Sequence, residues 1–213
     1  AGFLENMGDV EVVKMDLMDV NSVKAAVSGC RDIIHCAAEL YIASNDPQRD
    51  VLDPSIKGVR NLIMAMDEHG VERLVHTSSV SAIRGTQYKN GTTFTQDDWC
   101  DDASLKKNPY GFAKSEAERI VRKWAEEKDC RLVTIHPSVV FGKPLAPRHI
   151  EGSMSYLKHF LKGPPFVLNI NINFVDVEDV ARAHIGALEN GKDRGRYIIH
   201  SGNMWMKDIG ELL

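Results

Sequence analysis

The chain has 213 residues, of which 43% are hydrophobic and 26% charged, and carries a formal net charge of −4. These proportions are those of a soluble globular chain, large enough for one domain with a real core or for a domain plus a small lobe. They exclude a global basic field, so nucleic acid and anionic membrane are not expected partners; no apolar run approaches the ~18 residues that span a bilayer, and no secretory leader is visible.

In chain order, short and mostly apolar runs at Val10–Lys14, Asp32–Cys36, Arg73–Ser78 and Arg131–His136 read as strands of a parallel sheet buried on both faces. Helices are expected between them. Asn21 is a candidate cap for a helix carrying Val23 and Val27. Pro54–His69 places Ile56, Val59, Ile63 and Met66 at helical spacing, and Gly70 stops it. Pro109–Lys128 sets Ala113, Ala117, Ile120, Val121 and Trp124 along one stripe. The alternation predicts an α/β fold with a doubly wound parallel sheet. After Val140 the texture changes: Gly142, Pro144, Pro147, Gly152, Gly163, Pro164 and Pro165 break the chain into short pieces, as in a small substrate lobe. A helix Val177–Glu189, a strand Arg196–His200 and a last helix containing Leu212 and Leu213 follow. Residues 1–140 and 173–195 are expected to form the core domain, and 141–172 and 196–213 part of the lobe.

The four cysteines, Cys30, Cys36, Cys100 and Cys130, form no C-x-x-C pair, so no zinc site or redox motif is expected, and a cytoplasmic location is the default. Cys36, in an apolar run, is expected to be a buried thiol. His35 and His136 also sit in apolar strands and read as core histidines rather than ligands. Asp176, Glu178 and Asp179 read as helix caps and dipole partners rather than a metal cluster.

A dinucleotide site usually opens with a strand, a glycine-rich turn and a helix whose N-terminus faces the pyrophosphate. Neither G-x-G-x-x-G nor G-x-x-G-x-x-G occurs here, and no strand precedes Gly2 or Gly8. Either the chain is no dinucleotide protein or it lacks the first unit, and, with the last helix stopping at Leu213 in mid-element, the second reading with a sheet incomplete at both ends is expected.

The strongest chemical constellation is Thr77-Ser78-Ser79 followed by Asn108-Pro109-Tyr110-Gly111-Phe112-Ala113-Lys114. Tyr110 and Lys114 lie four apart on an expected helix and share a face. The serines end an expected strand, and ligands of open parallel sheets gather at strand C-termini. A free tyrosine titrates near 10 and is a poor base at neutral pH; a nearby ammonium favours the phenolate and makes proton exchange accessible. The bland alternative is that Lys114 is a solvated helix residue and Tyr110 a ring packed at a helix start.

At this point the chain resembles the extended short-chain dehydrogenase/reductases, within the NAD-dependent epimerase/dehydratase superfamily, and in particular the subgroup of dihydroflavonol and cinnamoyl-CoA reductases. The matching segments are Asp16-Leu17, His35–Ala38, Asp53–Val59, Val75–Ser79, Asn108–Lys114, His136–Gly142 and Asn173–Ala181. The resemblance implies a Rossmann-like fold and an NAD(P)-dependent oxidoreductase acting on a CH–OH or carbonyl group of a small molecule. Ser79, with Ser78 as the one-residue alternative, Tyr110 and Lys114 match the catalytic positions. Lys114 matches the residue that also holds the nicotinamide ribose, Asp16 and Leu17 those that meet the adenine, and Ala37 and Ala38 the turn lining the cofactor. Thr77 and Ser78 fall on the strand end beside it, and Pro137 and Ser138 on a Pro-Gly step next to the nicotinamide, with serine in place of glycine. The resemblance favours NADP over NAD and allows a homodimer. A nucleotide-sugar epimerase or dehydratase, or a non-catalytic NAD(P)-binding protein, are the competing readings. Asn108-Pro109-Tyr110 in place of Asn-Trp-Tyr, and Arg84 where plant flavonoid reductases carry asparagine, speak against both plant substrates.

Overall fold

The computed structural model describes all residues except 1–3, 5–7, 39–43, 90, 129, 151, 164–166 and 213; Gly2, Pro164, Pro165 and Leu213 therefore lie outside the described residues. The chain divides into two units, residues 13–136 with 184–198, and residues 1–12 with 137–183 and 199–213.

In the larger unit the first helix, α1 (Val20–Val27), is capped two residues earlier than expected. Asp19, not Asn21, supplies the cap, its carboxylate accepting from the Asn21 amide at 3.0 Å. β1 (Asp32–His35) leads through a π-helical turn, Gln48–Leu52, into α2 (Asp53–His69). Gly70 ends α2 with φ of 65°, a left-handed conformation that a side chain resists. β2 (Arg73–Thr77), α3 (Pro109–Lys128) and β3 (Arg131–Pro137) follow, and β6 (Arg196–Ile199) completes a sheet of order β1-β2-β3-β6. β1, β2 and β3 are parallel, with Asp32 opposite Arg73 and Leu74 opposite Leu132. Arg196–Ile199, assigned from sequence to the lobe, thus belongs to this sheet. Val23, Val59, Met66, Leu74, Val121, Trp124 and Leu132 pack together as the core between α1, α2, α3 and the strands. Burying side chains of this size stabilises the layer by roughly 2 kcal/mol each.

Two expectations about the first part of the chain, whose residues 10–12 fall in the smaller unit, fail. Residues 10–14 form no strand; Val10, Val12 and Val13 stay exposed, because no neighbouring strand among the described residues takes up their backbone groups. Cys36 is exposed rather than buried. The ladder of β1 ends at His35, and side-chain alternation turns Cys36 away from the face on which His35 is buried.

In the smaller unit, β4 (Val139–Phe141) pairs parallel with β5 (Asn171–Asp176), which pairs antiparallel with β7 (Gly202–Trp205). Phe160 of α4 (Met154–Leu161), Ile172, and Met206 and Ile209 of α6 (Met206–Leu212) form its core. α5 (Val177–Asn190) starts behind Asp176, whose carboxylate accepts from the Glu178 amide at 2.7 Å, a cap as expected.

Candidate active site

The site in the larger unit is built by the start of α3 lying against the C-terminal end of β2. Asn108 caps α3, its side-chain oxygen accepting from the Gly111 amide at 3.0 Å, and Pro109 occupies the first turn, where its missing N–H costs nothing. Gly111 has no room for a side chain: a Cβ there would sit 2.6 Å from the Ser81 carbonyl oxygen. That close approach brings Tyr110 onto the loop that follows β2.

Tyr110, Lys114 and Glu118 then recur every four residues on one face of α3, and each meets a different residue of the strand end. Tyr110 hydrogen-bonds the Ser79 hydroxyl. Lys114 Nζ donates to the Thr77 carbonyl oxygen at 2.9 Å. The Ser78 hydroxyl donates to Glu118 Oε2 at 2.7 Å. Ser79 Oγ also accepts from the Ser81 amide at 3.1 Å, starting a single 3-10 turn, Val80–Ala82. The two adjacent serines are thereby separated: Ser78 is committed inward to a carboxylate, and Ser79 faces the phenol.

The electrostatics differ from the expectation that the ammonium lowers the phenol. Lys114 Nζ lies 6.0 Å from the Tyr110 ring centroid. Burial pushes the Tyr110 phenol above its ordinary value, with the Ser79 hydrogen bond pulling the other way. Burial lowers Lys114 to about 8, against the opposing influence of Cys36 and Glu118. In this state the pair is a protonated phenol beside an ammonium that still holds its proton at neutral pH.

A cavity of about 580 Å³ opens beside Lys114, and Asp16, Leu17, Ala37 and Ala38 line it, so four positions matched by sequence to a cofactor pocket do share one space with Lys114. His35 and His76 line it too, their rings stacked with centroids 5.4 Å apart. His35 and His136 are buried as expected. Both ring nitrogens of His76 are buried and lack a partner among the described residues. Asp16 is exposed and its Oδ1 accepts from the Met18 amide at 2.8 Å. Pro137 and Ser138 fall in the other unit, where the Ser138 amide donates to the Ile199 carbonyl at 3.0 Å.

Residues that sequence reasoning did not single out complete the surroundings. Glu118 is fully buried, accepting from His136 Nε2 at 2.8 Å and Arg196 Nε at 2.7 Å as well as from Ser78. Its position one turn beyond Lys114, in a stripe with Ala113, Ala117 and Val121, was the available signal: an acid on an apolar face needs a partner. Arg196 and His184 carry no local signal, since each reaches the site from a distant element. His184 Nε2 lies 2.7 Å from the Thr77 hydroxyl, which donates to Cys36 Sγ at 3.4 Å.

With this geometry in place, known proteins can be set beside it. The sequence pattern of the NAD dependent epimerase/dehydratase family matches residues 3–199. The chain belongs to this family. The relatives it matches in sequence include reductases, and the solved structures it resembles include both reductases and UDP-glucose 4-epimerases. It is 30% identical over 230 aligned positions to anthocyanidin reductase of Arabidopsis thaliana, covering 99% of this chain and 66% of that protein. It is 32% identical over 204 positions to cinnamoyl-CoA reductase 1 of Petunia hybrida, covering 94% and 60%. Among solved structures, Gre2 from Candida albicans in complex with NADPH superposes with a TM-score of 0.79 at 26% identity, covering 90% of this chain and 63% of that one. The chain thus spans about two thirds of the length of these relatives. The family binds NAD(P), and the parallel sheet with flanking helices is the Rossmann-like arrangement expected.

Proposed function

We propose that this chain carries the catalytic face of an NAD(P)-dependent reductase that converts a small carbonyl compound to its alcohol, with Tyr110 as acid, Ser79 as the residue holding the carbonyl oxygen, and Lys114 as ribose holder and electrostatic partner. The observation that carries the reading is the face of α3 on which Tyr110 meets Ser79 while Lys114 is fixed one turn on, at the C-terminal end of a parallel strand. Reductase relatives at 30% and 32% identity support the reaction class.

The residues present fit a dinucleotide, Asp16 and Leu17 toward its adenine and Lys114 toward its nicotinamide ribose. The cavity beside Lys114 is walled by small residues at Ala37, Ala38 and Gly58, and lined also by His76, whose two buried ring nitrogens lack a partner among the described residues. Lys114 spends one of its three donors on Thr77, which leaves two for ribose hydroxyls. The NADPH complex of Gre2 supports NADPH over NADH for this chain. When bound, the nicotinamide supplies the hydride.

The protein's own part follows from the protonation states. The raised phenol of Tyr110 keeps its proton through the neutral range, so it is set to give that proton to the carbonyl oxygen as negative charge develops there. Ser79, already within hydrogen-bond reach of the phenol, orients the same oxygen. The Ser79 hydrogen bond favours the phenolate left behind, and the ammonium of Lys114 is held beside it by the Thr77 carbonyl. Acid catalysis of this kind is worth roughly 10²–10⁴-fold.

The test is made on the full-length protein. Steady oxidation of NADPH with a carbonyl substrate is expected, and Tyr110→Phe lowers kcat by about 10²-fold or more while the fold is kept. Turnover of a nucleotide sugar without net NADPH loss would transfer the assignment to epimerase chemistry. Undiminished turnover in Tyr110→Phe would remove the proposed acid.

A further inference from the structure

We infer that Glu118 is a positioning residue of the reaction, holding the Ser78–Ser79 step in register with Tyr110 through its bond to the Ser78 hydroxyl. The inference rests on the roles proposed above for Tyr110, Ser79 and Lys114.

Glu118 has no exposure to solvent, and its two oxygens accept from three side chains, Ser78 just beyond β2, His136 of β3 and Arg196 of β6, at 2.7, 2.8 and 2.7 Å. Arg196, itself nearly buried, stacks over the Trp99 ring with its Cζ 4.0 Å from the centroid, and its Nη1 donates to the Asp98 carbonyl at 2.8 Å. The guanidinium therefore cannot swing away, and it fixes where the carboxylate sits. Burial would raise the pKa of Glu118, but the hydrogen bond and charge of His136, then those of Arg196, outweigh it and keep the group ionised.

An ionised, immobile acceptor is what orients a hydroxyl. Ser78 donates its only hydroxyl proton to Glu118, and the backbone at Ser79 is extended, with φ −162° and ψ 155°. In extended backbone, adjacent side chains diverge. Pinning Ser78 to α3 at Glu118 therefore limits how Ser79 can be aimed, two helical turns away, at Tyr110. Tyr110, Lys114 and Glu118 meet Ser79, the Thr77 carbonyl and Ser78, so the helix reads three successive residues of the strand end. Loss of the Glu118 link leaves the acid in place and lets the oxygen-holding serine drift.

The experiment measures kcat, the KM for NADPH and the thermal midpoint of full-length Ser78→Ala, Glu118→Gln and Tyr110→Phe proteins. Ser78→Ala cuts the link yet leaves Glu118 paired with His136 and Arg196, so it tests the idea even if Glu118→Gln fails to fold. The expected result for Ser78→Ala is a kcat lowered about tenfold, with the KM for NADPH within about twofold and the midpoint little changed, since small misplacements of a reacting group cost rate rather than binding. A purely structural role predicts a lowered midpoint with unchanged kcat, and that outcome overturns the inference. Should Tyr110→Phe abolish turnover while Ser78→Ala and every folded Glu118→Gln sample keep the parent kcat, the positioning role alone falls. Should Tyr110→Phe keep the parent kcat, the proposed function falls with it.

Discussion

Acidification between pH 6.5 and 4 is predicted to unfold the larger unit through the His35–His76 pair, before the carboxylates contribute. Burial, with a smaller push from the Lys114 charge, lowers His35 from 6.5 to about 4. His76, enclosed beside it, is lowered well below 6.5, chiefly by burial and then by the charges of His35 and Lys114. Between the two values the unfolded chain binds a proton at His35 and the native chain does not, so stability rises with pH and is lost as pH falls through this window. At 1.36 kcal/mol per pH unit, the gap between 6.5 and about 4 corresponds to about 3 kcal/mol for His35, a large share of a typical domain's stability. Asp32 and Glu118, held below their ordinary 3.8 and 4.5 by their partners, stabilise the fold above those values and lose that contribution only as the histidine window closes. Urea unfolding followed by tryptophan fluorescence at half-unit steps from pH 7 to 4.5 reads the slope directly. His35→Leu, which has nothing to titrate, should show a shallower slope than the parent. A flat parent profile above pH 4.5, or equal slopes in the two proteins, would refute the reasoning.

Two further outcomes follow from local geometry. The protein around the exposed Cys36 partly desolvates its thiol, but hydrogen bonds from His184 and Thr77 and the charges of His184 and Lys114 win and lower it, whereas burial raises Cys100 and takes Cys130 to about 11; iodoacetamide at pH 7.5 should therefore alkylate Cys36 at least about tenfold faster than Cys100 or Cys130, with His184→Gln slowing it, and peptide mass mapping showing equal rates would contradict this. Gly111→Ala places a Cβ 2.6 Å from the Ser81 carbonyl and against the Asn108 cap, so the start of α3 must shift; a loss of about 1–3 kcal/mol in urea unfolding is expected, and a variant as stable as the parent would show that the approach is not needed.

Much of the fold was legible because it is written in local periodicity. The apolar stripe of α3, the stop at Gly70 and the runs that became β1, β2 and β3 each carry their own signal. Residues 10–14 have the composition of a strand but form none, because a strand exists only where another backbone accepts its hydrogen bonds, and composition does not contain the partner. Of the site, Tyr110 and Lys114 were visible from their helical spacing, and the choice between Ser78 and Ser79 was not. That choice depends on Glu118, which takes one serine and leaves the other, and on Arg196, 78 residues further along, which holds Glu118 in place. The sign of the Tyr110 displacement was likewise out of reach, since a four-residue spacing says that two groups share a face but not how deeply that face is buried.

The buried cluster beneath the serines is hard to explain as a stabilising device. An ion pair taken out of water gains little net free energy over well-packed apolar groups of the same volume, whereas removing one partner leaves a charge stranded at a cost of about 3–5 kcal/mol. Glu118, Arg196 and His136 could be replaced together by apolar side chains without loss on that account. Apolar side chains would fill the space but would not orient a hydroxyl: only a fixed acceptor determines where the Ser78 proton points. The same face of α3 that presents the phenol therefore also fixes the backbone it works against, and rigidity there lets Ser79 meet Tyr110 without reorganisation when a carbonyl arrives. A cluster retained for geometry rather than stability should tolerate joint apolar replacement in unfolding experiments while failing in turnover, and that dissociation separates the two explanations.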